Sequence, residues 1–310
     1  MHHSLLTLAT QVRRRTLCLA VAVLAPLGIL GVASPALAVE HHPKGDFAPF
    51  ADCPLSNPAT NLCIFAQTES GEFVIGKATV PITKTITLQG GIHENETTGL
   101  QEFIGAEDGN TLSKTPQKVP GGLLGLIKCN EIKGEGFLEK TARKACEAVF
   151  ENGLTGVNAT AELAAPASSI GISIQNLIEE NGVALSLPVK VHLENPLLGS
   201  SCYVGSNAHP VVIELTTGTT SPPPPNKPIK GKVGTLEFKD EFNLVIARNN
   251  SLVNNSFAAP KSEGCGGLFS FLIGPLVDSK LGLPSPAGHN TAILNGTLQD
   301  ANAPAVKASE

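Results

Sequence analysis

Val183-Ala184-Leu185-Ser186-Leu187-Pro188-Val189-Lys190-Val191-His192-Leu193-Glu194 alternates without a slip. Val183, Leu185, Leu187, Val189, Val191 and Leu193 share one side; Ser186, Lys190, His192 and Glu194 share the other. Side chains on a strand point alternately to opposite faces, so this stretch predicts a strand from Val183 to Leu193 with one dry and one wet face. The dry face should bury Leu185, Leu187, Val189 and Val191, leaving Lys190 and His192 exposed. Pro188 has no N–H to give a ladder, which predicts an edge or a bulge there.

The same period appears on both sides of this strand. Val80, Ile82, Ile86 and Leu88 alternate with Pro81, Thr83, Thr85 and Thr87. Val211, Ile213 and Leu215 repeat it, as do Leu236, Phe238, Phe242, Leu244 and Ile246. Helical spacing is rarer. Leu138, Ala142, Ala145, Val149 and Phe150 line one helix face, with Gly153 as the stop. A second helix is expected from Leu268 to Leu281, interrupted near Pro275. Strands therefore outnumber helices. The chain has 31 Gly and 23 Pro, which suits short strands and many turns. The expected fold is mainly β: an antiparallel β-sandwich or Greek-key-like body with one or two short helices, stapled by disulfides.

The N-terminus reads as an export signal. Arg13, Arg14 and Arg15 precede an apolar run, and Ala36-Leu37-Ala38 supplies a cleavage pattern before Val39. Residues 1–38 are thus expected to be removed, leaving 39–310 as a single β-rich exported domain that is secreted. The general secretory and twin-arginine routes both remain open. The apolar run is too short and interrupted for a membrane anchor, and no later stretch is long enough. Losing three arginines lowers Lys+Arg from 22 to 19 against 27 Asp+Glu, a net charge of −8. That acidity argues against nucleic acid or anionic lipid as a main partner. Carbohydrate binders lean on aromatic side chains, and this chain has no Trp and one Tyr, Tyr203.

Six cysteines follow the signal: Cys53, Cys63, Cys129, Cys146, Cys202 and Cys265. An even count in an exported chain implies bridges. Neighbour spacing predicts Cys53–Cys63, Cys129–Cys146 and Cys202–Cys265. Only Cys265 lies beyond the Pro222-Pro223-Pro224-Pro225 run, so at least one bridge must cross it. The segment near 221–228 then reads as a stiff surface loop rather than a hinge between domains.

Several stretches also carry a likeness: Cys53-Pro54-Leu55-Ser56 with Cys63-Ile64-Phe65, Ser70-Gly71-Glu72-Phe73, Leu88-Gln89-Gly90-Gly91, Val119-Pro120-Gly121-Gly122-Leu123 and Glu194-Asn195-Pro196-Leu197-Leu198-Gly199. With the proline run they resemble a group of uncharacterised exported proteins of actinobacteria. The resemblance implies a bacterial exported protein and brings no activity or site residue with it.

Chemistry-bearing motifs are sparse. There is no G-x-S-x-G, no H-E-x-x-H and no G-K-[ST] phosphate cradle. Glu107-Asp108-Gly109-Asn110 lacks the spaced carboxylates of a calcium loop and reads as a turn. Cleavage after Ala38 would expose Val39-Glu40-His41, whose amine, two amides and imidazole could chelate Cu(II) or Ni(II) in a plane if the terminus is unstructured. No other cofactor is expected. Two function classes follow. The first is a non-enzymatic extracellular binding or structural protein, with the cell envelope or a small apolar ligand as partner. The alternative is a secreted hydrolase on a β scaffold. A cluster of His, Asp or Glu would favour the enzyme, and a smooth apolar cavity would favour a lipid-like ligand.

Overall fold

The computed structural model describes residues 41–310 except 96, 123–135, 138, 139, 142, 143 and 145–155. Among them two antiparallel seven-stranded sheets face each other. The first holds β1 (Leu62–Ile75), β2 (Ala78–Pro81), β3 (Ile86–Glu94), β4 (Gln101–Gly105), β11 (Thr235–Lys239), β12 (Leu244–Asn254) and β14 (Thr291–Asn302). Their order is β11-β12-β14-β1-β3-β4, with β2 folded back on β1. The second holds β5 (Gln117–Val119), β6 (Val157–Leu163), β7 (Gly171–Ile172), β8 (Leu185–Glu194), β9 (Tyr203–Val204), β10 (Val211–Leu215) and β13 (Ser262–Glu263). The mainly β, disulfide-stapled sandwich is what the alternation predicts.

The decisive stretch becomes β8, starting two residues late because Val183 is exposed before the strand begins. Leu185, Leu187, Val189 and Leu193 are buried, and Val191 is half-buried. Contrary to the edge or bulge expected at Pro188, β8 is a central strand. One side pairs with β10 and β9, the other with β7 and β6. Pro188 lies in the gap between β7, which ends on Leu185 and Ser186, and β6, which begins on Val189. Its carbonyl accepts from Ala164 N at 2.9 Å. Only the return bond, the one a proline cannot make, is missing.

The Leu236 to Ile246 alternation is a hairpin. Asp240, Glu241 and Phe242 take φ of 47°, 55° and 72°, reversing the chain between β11 and β12. That reversal leaves Phe238 and Phe242 exposed. The alternation from Val80 to Leu88 likewise splits into β2 and β3.

Three α-helices lie wholly within the described residues: α1 (Ile174–Ile178), α2 (Ser270–Leu281) and α3 (Ala303–Ala308). Ser173 Oγ caps α1 by accepting from Asn176 N at 3.2 Å. The interruption expected at Pro275 does not occur: α2 runs through it, with Pro275 on the exposed side. Most of the helix expected over residues 138–151 lies outside the described residues, and so do Cys129 and Cys146.

Apolar residues pack on both faces of the first sheet. Its inner face meets the second sheet through Leu88, Leu252, Leu294 and Leu298 against Leu187, Val211, Ile213 and Leu215. Its outer face is covered at one end by Phe47, Phe50 and Val306, which pack on Cys63, Leu244 and Ile246. Cys53–Cys63 staples this outer layer, with Cα atoms 5.4 Å apart. Cys202–Cys265 joins the β8–β9 connection to the segment entering α2, with Cα atoms 4.0 Å apart. The second bridge spans the proline run, which forms an exposed loop. Asn226 holds that loop by donating from Nδ2 to Asn255 O and Asn290 O at 3.0 and 2.9 Å.

Candidate functional site

The two inner faces do not close on each other throughout. Between them lies a cavity of about 910 Å³. Ile64, Ala66, Leu294 and Leu298 form part of the first-sheet wall. Leu187, Val189, Val191 and Ala161 face them from the second sheet. These are residues whose period-two spacing puts them on the inner face. Among the described residues the wall is aliphatic, with Phe73 as its one aromatic side chain.

One edge of the cavity is crossed by α2. Near its start, Gly266 N donates to Leu198 O, in the loop after β8. At its last residue, Lys77 N, in the β1–β2 turn, donates to Leu281 O at 2.8 Å. The helix therefore bridges the second sheet to the first. Ile273, Val277 and Leu281 line the cavity. Leu276 lines it too and is half in solvent, while Leu268, Phe269, Phe271 and Leu272 are exposed on the same segment. An apolar strip thus runs from cavity wall to surface at this rim.

Polar groups in the lining are few, and the best placed are already engaged. Gln117 Oε1 accepts from Thr83 N and Lys84 N at 2.9 and 3.1 Å, and its Nε2 donates to Lys84 O at 2.8 Å. Asn250 Nδ2 donates to Ala247 O at 3.3 Å, beside the bulge in β12. These amides satisfy backbone and make no demand on a ligand.

A second group of side chains sits on the far face of β8. His192 stacks on Tyr203 with ring centroids 4.6 Å apart, and Lys190 Nζ lies 4.7 Å from the Tyr203 ring centre. His192 Nδ1 is 3.7 Å from a Glu162 oxygen and 3.8 Å from one of Glu194. Burial and the two carboxylates push the Tyr203 phenol up. His192 was expected on an open face, yet its side chain is only 18% exposed. Stacking on Tyr203 accounts for part of that burial. Its Nε2 and the hydroxyl of Thr160, opposite it on β6, are buried without hydrogen-bond partners. Among the described residues no hydroxyl or thiol bonds this ring.

No protein-family model, curated protein or solved structure matches the chain.

The remaining sequence candidates are dispersed. Among the described residues no three His, Cys, Asp or Glu converge as a metal site. Glu107 and Asp108 are both spent on protein partners: Ser56 Oγ donates to Glu107 Oε1 across the fold, and Asn110 N donates to Asp108 Oδ1 within the turn. Val39 and Glu40 lie outside the described residues. His41 is packed rather than free: its Nδ1 lies 2.6 Å from Glu310 Oε1, and its side chain is 9% exposed. Lys44 Nζ donates to the Glu310 backbone oxygen. A metal chelated through His41 would therefore compete with the C-terminal residue for the ring.

Proposed function

We propose that this chain is an exported, non-enzymatic binding protein that carries a lipid-like ligand between its two sheets. The observation that carries this reading is the aliphatic cavity. Ligand pockets measure roughly 300–1,000 Å³, and this one lies near the upper end. Protein interiors are normally close-packed. An unfilled apolar void leaves its lining side chains without packing partners on one side, a cost that grows with its volume. Water gains little in an apolar site that offers few hydrogen bonds. An apolar occupant offsets the cost. Removal of residues 1–38 and release from a bacterial cell complete the proposal; the two bridges support an oxidising destination.

The test is native mass spectrometry of protein secreted by its own host and purified without detergent. A mass adduct that organic extraction removes and identifies as lipid is expected. A bare protein that also takes up no lipid from added vesicles would contradict the reading.

A further inference from the structure

We infer that the ligand is an anionic amphiphile, whose acid head is held by Lys77 and Lys280 and whose hydrocarbon lies between the sheets. This rests on the cavity reading and adds the head-group class to it.

The first observation is the charge content of the lining. Among the described residues that line the cavity there is no Asp, Glu, Arg or His, and the charged side chains there are Lys77 and Lys280. The chain as a whole carries 27 acidic against 22 basic residues, so a charged rim drawn at random would tend to be acidic.

The second observation is placement. Lys77 sits in the turn between β1 and β2, and Lys280 in the last turn of α2. The turn is tied to the helix end: Lys77 Nζ donates to Ser279 O at 3.3 Å, and a Cβ built on Gly282 would meet the Lys77 stem at 3.2–3.4 Å. The stem is laid along the helix end, which brings its ammonium to the rim beside Lys280. Next to both are Leu276 and Leu281, the apolar wall at this end.

The third observation is what the lysines lack. Lys190, Lys230, Lys239 and Arg248 each face a carboxylate, namely Glu162, Glu180, Asp46 and Glu237. Among the described residues neither Lys77 nor Lys280 forms an ion pair. The Asp278 carboxylate, on the same helix turn, instead accepts from Ser262 N at 2.8 Å. A cation is favourable at a helix C-terminus, which explains the Ser279 contact. An ammonium has three donors, however, and Lys77 spends one of them there.

Two unpaired ammonium groups beside an aliphatic cavity match a carboxylate or phosphate monoester on a long alkyl chain. A choline head would set a cation beside them and is disfavoured. A neutral alcohol would fill the cavity without using them.

The experiment displaces an uncharged apolar fluorophore, N-phenyl-1-naphthylamine, from delipidated full-length secreted protein. The competitors are palmitate, hexadecyl phosphate, hexadecanol and a lysophosphatidylcholine, each below its micelle concentration. Both acids should compete roughly tenfold better than hexadecanol at low salt, the size expected of two half-exposed ion pairs, and this margin should shrink in concentrated NaCl. The ratio of the two acids tells carboxylate from phosphate. Lys77→Gln with Lys280→Gln should erase the margin and leave fluorophore and hexadecanol binding unchanged. If hexadecanol competes as well as the acids, or the double variant keeps the margin, the head-group assignment is overturned while the cavity reading stands. If wild-type protein binds neither the fluorophore nor any competitor, both fall together.

Discussion

Asp300 shows how a single residue can set the pH response of this fold. It lies on the inner face of β14, two residues beyond Leu298, with Ile64 and Val245 as its cross-strand neighbours. No described donor bonds its carboxyl, and burial raises its pKa from 3.8 to about 6. Because the folded-state pKa is raised, the carboxyl does not penalise the fold below pH ~4, where both states are protonated. Stability is then lost as pH rises through the interval between 3.8 and about 6. Part of the carboxyl reaches solvent, so the loss should be about 2 kcal/mol rather than the full linkage value. Urea unfolding of Asp300→Asn should show that gain above pH 6 and no gain at pH 3.5. A pH-independent difference would contradict the assignment. Residue-scale reading from sequence did less well at His192. Its alternation on β8 placed it correctly on the non-cavity face, but a period of two says nothing about what stacks across neighbouring strands, and the partner, Tyr203, comes from β9.

At the scale of elements, β8 was legible because its two faces differ in polarity. The long strands β1 and β14 were not singled out. Both are central strands of the first sheet, and β1 carries polar residues through its middle, where a bulge falls between Thr68 and Ser70. Glycines replace side chains at the crossing: a Cβ on Gly296 would meet Gln67 O at 1.8 Å, and one on Gly71 would meet Ile293 O at 1.9 Å. Such strands give no clean alternation to find. The cavity adds an energetic contrast between elements. Leu244 of β12 is fully buried in the close-packed outer layer, whereas Leu187 of β8 faces the cavity. Leu244→Ala should cost about 4 kcal/mol and Leu187→Ala about 2 kcal/mol in ligand-free protein, since the latter forfeits fewer contacts. Equal costs in denaturant titrations would argue for a filled core. The bridge at the start of α2 makes another prediction. Cys202 and Cys265 are 63 residues apart, so replacing both with serine should cost about 4 kcal/mol by loop-closure entropy. It should also increase amide exchange in α2, because that bridge ties the incoming segment to the second sheet. Unchanged exchange there would count against α2 as a bridged rim element.

For the whole molecule, two layers, the disulfide staples and the surface proline loop all follow from alternation and cysteine parity. The cavity does not. Leu187 and Val189 would read identically in sequence whether they met a facing side chain or open space, because separation between sheets is a global property of strand twist and connection. Among the described residues no helix is long and apolar enough to cross a membrane, so the exposed strip of α2 is a feature of the cavity rim and not of a spanning segment. The central claim is that the space between the sheets is a binding site. Its most direct test is titration of delipidated protein with N-phenyl-1-naphthylamine, comparing wild type with Ala66→Phe combined with Ala161→Phe. Both alanines line the cavity on opposite sheets, so the added rings enter open space rather than a packed core. Saturable one-to-one binding to wild type, with binding lost and the melting temperature not lowered in the filled variant, is the predicted result. Equal binding by both proteins, or none by wild type, would contradict it.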